Sequence, residues 1–65
     1  MEFGERLKKL RFMRGWTQPE LAAYAGVSNA LISHLETGKH APVLTTLHKL
    51  RQALDVSWNT LLGDL

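Results

Sequence analysis

The sequence predicts an all-α domain of five short helices, the second and third joined across a tight turn. Three observations carry this expectation. Apolar residues recur at steps of three and four through each segment. No window alternates apolar and polar residues long enough to make a strand. Each segment also has a Thr, Ser or Pro at its start or a Gly just past its end.

Phe3, Leu7 and Leu10 fall at helical spacing with Arg14 continuing the row, so residues 2–14 read as an amphipathic first helix ended by Gly15. Thr17-Gln18-Pro19-Glu20 has the form of a capping box: Thr17 caps the free amides, Glu20 sits at the third helical position, and Pro19 is tolerated in the first turn. The second helix then runs through Leu21, Ala22 and Ala25 to Gly26, which suits a left-handed end position. Ser28 caps a third helix expected over 29–37, and Gly38 stops it. Pro42 is expected to open the fourth helix, whose stripe is Leu44, Leu47, Leu50 and Leu54. Asp55-Val56 form a turn and Ser57 caps a short fifth helix carrying Trp58, Leu61 and Leu62.

Sixty-five residues make one domain, residues 1–65, near the lower limit for an unaided core. With no Cys there is no disulfide or thiolate metal site, so stability must come from packing, caps and self-association. The 45% hydrophobic and 22% charged composition is that of a folding chain, not a disordered one. No apolar run approaches the roughly 18 residues of a membrane span. The first residues, Met1-Glu2-Phe3-Gly4-Glu5, lack the order of a signal peptide. A soluble cytoplasmic protein without membrane contact is therefore expected. Net charge is only +2, but residues 1–14 set Arg6, Lys8, Lys9, Arg11 and Arg14 against Glu2 and Glu5 for a local +3. A solvated helix face is the plainer reading of this cluster, a phosphate-binding patch the sharper one.

Two helices meeting at a steep angle need little bulk where they touch and a backbone free to turn. Ala22 stands four residues before Gly26, and Val27, Ile32 and Leu35 can pin the following helix to the core. The ordered set Leu21-Ala22, Gly26-Val27, Ile32 and Leu35 between two capped helices is a specific signal. With Trp16 to Ala22, Gly26-Val27-Ser28, Ile32-Ser33 and Leu35-Glu36-Thr37-Gly38-Lys39, the chain resembles the phage repressor and Cro type of helix-turn-helix family, the Xre-like regulators. Pro42, Leu47, Leu54 to Trp58 and Leu61-Leu62 match its later helices. The resemblance implies a repressor-like five-helix fold that places its third helix in the DNA major groove, and sequence-specific transcriptional regulation, most simply repression.

Advancing 100° per residue puts Ile32, Leu35 and Glu36 on one side of the third helix and Ala30, His34 and Thr37 on the other. Asn29 and Ser33 fall on one flank, Leu31 on the opposite one. N-terminal residues of such a helix reach base edges first. Asn29 can bind adenine bidentately, Ala30 or Leu31 can meet a thymine methyl, and His34 can reach a base edge or phosphate. Asn29 also has a bland reading as a first-turn residue, and Leu31 one as partial core. The resemblance makes Gln18 a phosphate contact at the start of its helix. Ser28, Ser33, Thr37 and Lys39 are further phosphate candidates, with His40 a weaker one; Ser28 can serve as N-cap at the same time. An inward-facing Glu36 is costly to bury alone. The resemblance pairs it with Arg11 as a structural ion pair, which removes Arg11 from the phosphate contacts. The third helix carries no Arg, Lys or Gln, and methyl-reading Ala30 and Leu31 suggest an A/T-rich site.

No cofactor is expected. His34, His40 and His48 stand six and eight residues apart with no acidic pair nearby, so no metal site is expected. Ser33 and His34 are neighbours that point different ways on a helix, the wrong geometry for a nucleophile and its base, so the chain does not read as an enzyme. The expected partner is a double-stranded, palindromic DNA operator bound by a homodimer, because one reading helix spans few base pairs and half-sites lie about 34 Å apart. The fourth and fifth helices, with the row Trp58, Leu61, Leu62 and Leu65, are expected to supply the dimer surface. The alternative is an antitoxin-like or adaptor module that keeps the fold and binds protein, for which Val43 and Trp58 are exposed candidates.

Overall fold

Short-range capping sets out the helices. The computed structural model describes residues 2–63 and contains, among them, α1 (Phe3–Met13), α2 (Gln18–Ala25), α3 (Asn29–Thr37), α4 (Leu44–Leu54) and α5 (Trp58–Leu62), with no strand. At the start of α2, Thr17 Oγ1 accepts from the Glu20 amide at 3.3 Å and Glu20 Oε1 accepts from the Thr17 amide at 2.8 Å. This is a complete capping box. Ser28 Oγ accepts from the Leu31 amide and Ser57 Oγ from the Thr60 amide, each at 3.1 Å. Gly26 takes a left-handed φ of 73° and so turns the chain from α2 into α3 at little steric cost.

Two boundaries differ from expectation. The first helix is one residue shorter at each end, since Glu2 and Arg14 are its caps. The fourth begins at Leu44, two residues after Pro42, with an extended Val43 as its N-cap. Pro42 is half-buried and lines a shallow cleft with Phe3, Gly4 and Leu35. Leu44 is 74% exposed, outside the stripe expected of it.

The core is Leu7 and Leu10 from α1, Leu21, Ala22 and Ala25 from α2, Ile32 and Leu35 from α3, Leu50 and Leu54 from α4, and Leu61 from α5. Phe3, Trp16, Val27, Leu31, Leu47 and Leu62 pack around it. Gly4 sets how closely α1 approaches α3. A Cβ there would lie 2.5 Å from the Leu35 carbonyl oxygen and 2.6 Å from that of Glu36. The seam closes only because residue 4 has no side chain. At the other end of α1, the Arg14 guanidinium donates to the Leu54 carbonyl, placing a cation at the C-terminus of α4 where that helix's dipole favours it.

Candidate nucleic-acid interface

The periodicity of α3 divides its residues cleanly. Ile32 and Leu35 are fully buried, fixing the helix to the core, whereas Asn29 and Ala30 are exposed in its first turn. Leu31, Ser33 and His34 are half-buried, and Leu31 packs against the core, so its bland reading holds for at least part of the side chain. The Ser28 hydroxyl caps this helix, which occupies its oxygen as an acceptor and leaves its proton to donate. Thr37 is exposed, but its Oγ1 donates back to the carbonyls of Ser33 and His34 at 3.0 and 3.3 Å. Lys39 is exposed just beyond the helix, where its amide donates to the His34 carbonyl at 2.8 Å.

A polar cluster locks the far end of α3 to α1 and α2. Arg11 Nε donates to Glu36 Oε2 at 2.7 Å and Nη2 donates to Oε1 at 3.0 Å, a bidentate pair. Both side chains are buried, 8% exposed for Arg11 and 2% for Glu36. Arg11 Nη1 donates to the Trp16 carbonyl at 2.8 Å, tying in the loop between α1 and α2. The hydrogen bond to Glu36 raises the Arg11 pKa against the opposing effect of burial, so the guanidinium stays charged. Gln18, the first residue of α2, joins the cluster by donating from Nε2 to Glu36 Oε1 at 3.0 Å. That link is absent from the sequence reading, which has no local signal for a contact between residues 18 apart.

The N-terminal cations divide between structure and solvent. Arg11 and Arg14 are engaged as described, and the Arg6 guanidinium lies against Gly63. Lys8 and Lys9 are exposed, with Lys8 Nζ 5.9 Å from the Phe12 ring centroid. His34 and His40 come together edge to face at 4.8 Å, while His48 lies apart, 6.1 Å from Trp58. Among the described residues no group of three His, Asp or Glu side chains is placed to hold a metal ion. No helix among them is long and apolar enough to cross a membrane. At the starts of α4 and α5, Val43 is 62% exposed and Trp58 38%. Leu61 of the expected dimer row is instead fully buried, Leu62 is half-buried and Leu65 lies outside the described residues.

This arrangement of helices recurs in known proteins. The chain is 44% identical over 61 residues to the HTH-type transcriptional repressor RghR of Bacillus subtilis, covering 92% of this chain and 45% of RghR. It is 38% identical over 56 residues to the antitoxin HipB of Escherichia coli, covering 86% of this chain and 64% of HipB. Among solved structures it superposes on the P22 c2 repressor in complex with a synthetic operator with a TM-score of 0.87 and 33% identity, covering 97% of this chain and 96% of that one. The chain spans about half the length of the curated relatives it matches, 56% for one B. subtilis regulator and 45% for RghR. The helix-turn-helix family pattern matches residues 7–61, so it takes in all but the start of α1, the whole turn and all but the last residue of α5. The chain belongs to the Xre/Cro/C1-like helix-turn-helix family.

Proposed function

We propose that this protein is a sequence-specific DNA-binding transcriptional regulator, acting as a repressor, that inserts α3 into the major groove. The observation carrying this reading is the division of α3. One face is sealed into the core, and the capped first turn offers Asn29 and Ala30 to a partner. Asn29 reads adenine, Ala30 and the free edge of Leu31 meet thymine methyls, and His34 reaches in one turn later. Gln18, Ser28, Ser33 and Lys39 hold the phosphate backbone on either side, and Thr37 joins them when its hydroxyl turns from the Ser33 and His34 carbonyls to a phosphate. The operator is A/T-rich and palindromic. Likeness to a repressor whose solved structure includes an operator supports the same placement.

The chain acts as a homodimer joined through α4 and α5. Leu44 and His48 lie one turn apart on α4, and His48 stands beside the Trp58 ring, so two exposed apolar side chains, Leu44 and Trp58, flank His48 on this surface. A salt titration of binding to a mixed-sequence duplex tests the central reading. Affinity should fall linearly on logarithmic axes as salt rises. The likeness to an antitoxin favours one rival, a protein-binding module on the same scaffold. Absence of any shift at low salt would support that rival and overturn DNA binding.

A further inference from the structure

We infer that Glu36 is a positioning residue for DNA binding that acts through Gln18, beyond its pairing with Arg11. The inference rests on the phosphate-contact reading of Gln18. Glu36 is held at both oxygens by Arg11, at 2.7 and 3.0 Å, and its side chain is 2% exposed, so the carboxylate is a fixed point. Gln18 Nε2 lies 3.0 Å from Glu36 Oε1. A carboxylate offers no proton, so only the NH2 end of the Gln18 amide can face it. The orientation of that amide is therefore set by charge. One Nε2 proton is spent on Glu36, and the second has no partner among the described residues. Gln18 is also the first residue of α2, half-buried and followed by Pro19, so its backbone is fixed as well.

An unanchored glutamine loses its rotamer freedom on binding, whereas one already held in place has given it up in the folded protein. Glu36 thus aims the remaining Gln18 proton in one direction, and it does so from the last turn of the same helix whose first turn carries Asn29. The chain from Arg11 through Glu36 to Gln18 fixes a backbone-contacting group relative to the base-reading helix. Register on the duplex follows from that fixed relation.

A double-mutant cycle read as duplex affinity tests this, using Gln18→Met, Glu36→Gln and the two together on a labelled mixed-sequence duplex. Gln18→Met keeps the length of the side chain and removes its donors; affinity should fall about tenfold, as expected for a hydrogen bond to a charged group. Glu36→Gln can turn its own NH2 toward Gln18 and release it, and should lose a similar factor while its far-ultraviolet circular dichroism stays native. The double variant should be no weaker than the weaker single one. Losses that multiply to roughly a hundredfold would overturn the coupling. So would a folded Glu36→Gln protein that binds as tightly as the parent. If Gln18→Met binds normally, this inference falls, while DNA binding itself still stands or falls on the salt titration. Should Glu36→Gln fail to fold, the unmodified protein answers the question by NMR of its glutamine side-chain amides. On addition of duplex, one Gln18 Nε2 proton should shift and the one held by Glu36 should stay. Two unmoved protons would overturn the inference.

Discussion

The seam where α1, α2 and α3 meet and the flank formed by α4 and α5 are built on different terms. At the seam, Glu36 takes three hydrogen bonds, from two atoms of Arg11 and one of Gln18, and α2 opens with a reciprocal cap. The missing side chain of Gly4 allows the backbones to touch. On the flank, α4 opens on Val43, whose side chain has no polar atom to offer the helix amides, and Leu44 and Trp58 are left exposed. A helix that must present side chains at fixed positions to a rigid partner needs a determined orientation. A surface that meets another copy of itself needs apolar area more than fixed polar geometry. On the proposed dimer reading, the contrast separates a geometry complete within one chain from one completed by assembly.

Breaking the seam should produce the largest effect. Glu36→Ala removes the acceptor from a buried guanidinium and from Gln18, and should cost about 3–5 kcal/mol. Domains of this size hold only on the order of 5–15 kcal/mol in total, so the variant should melt far below the parent or fail to fold. Thermal unfolding followed by circular dichroism measures this. An unchanged midpoint would mean that the pair contributes nothing to the seam and that the contrast with the flank is false.

How much of this was legible in the sequence depends on the range of each contact. Caps act over three residues, so Thr17, Ser28 and Ser57 mark their helices correctly, and Gly26 and Gly38 mark the exits. Residues 29–37 are bounded on both sides by such signals and are read without error. Other contacts join residues far apart: Arg14 of α1 reaches Leu54 of α4 across 40 positions, and at the seam Gly4 meets Leu35 and Glu36. Nothing in the local pattern around Gly4 distinguishes a close approach from an ordinary helix start. Arg11 with Glu36, 25 residues apart, is expected only through family resemblance. Pro42 and Leu44 show the opposite failure: their local signals are sound, yet the chain stays extended through Val43 and Leu44 is left exposed. Leu44 continues a correct three-and-four rhythm past the point where there is core left to cover.

Below the ion pair in size stands the proposed reading head. Asn29 is exposed, so Asn29→Ala should leave the fold nearly untouched. On the preferred operator, found by selection from random DNA, it should lose about 1–3 kcal/mol of binding, with little change on unrelated duplexes. Equal loss on both would make Asn29 a backbone contact or a helix-start residue, and would move the source of specificity elsewhere on α3.

The flank can be strengthened where the seam can only be damaged. Val43 is an N-cap residue with extended backbone and a 62% exposed side chain, so a serine there can accept from the second or third amide of α4. Val43→Ser should raise stability by about 0.5–1 kcal/mol, read from the denaturation midpoint. A loss instead would indicate that the Val43 methyls are covered, as they would be inside a dimer, and repeating the measurement at higher protein concentration would expose that origin.

Leu44 should matter little to the isolated fold, and for that reason it is the most direct test of assembly. A side chain 74% exposed contributes little by burial in one chain, so Leu44→Ser should change monomer stability by no more than about 0.5 kcal/mol. In a symmetric pair each copy supplies the same strip, so a single substitution is felt twice across the axis. Leu44→Ser should therefore weaken self-association out of proportion to its effect on folding, and Trp58→Ser should act in the same direction. Sedimentation equilibrium on parent and variant, with and without a duplex carrying two half-sites about 34 Å apart, separates the possibilities. The parent should place two chains on the duplex with cooperativity that Leu44→Ser reduces. One chain per duplex at saturating protein would remove the dimer. Two chains bound with unchanged cooperativity in the variant would keep the dimer and move its surface away from the start of α4.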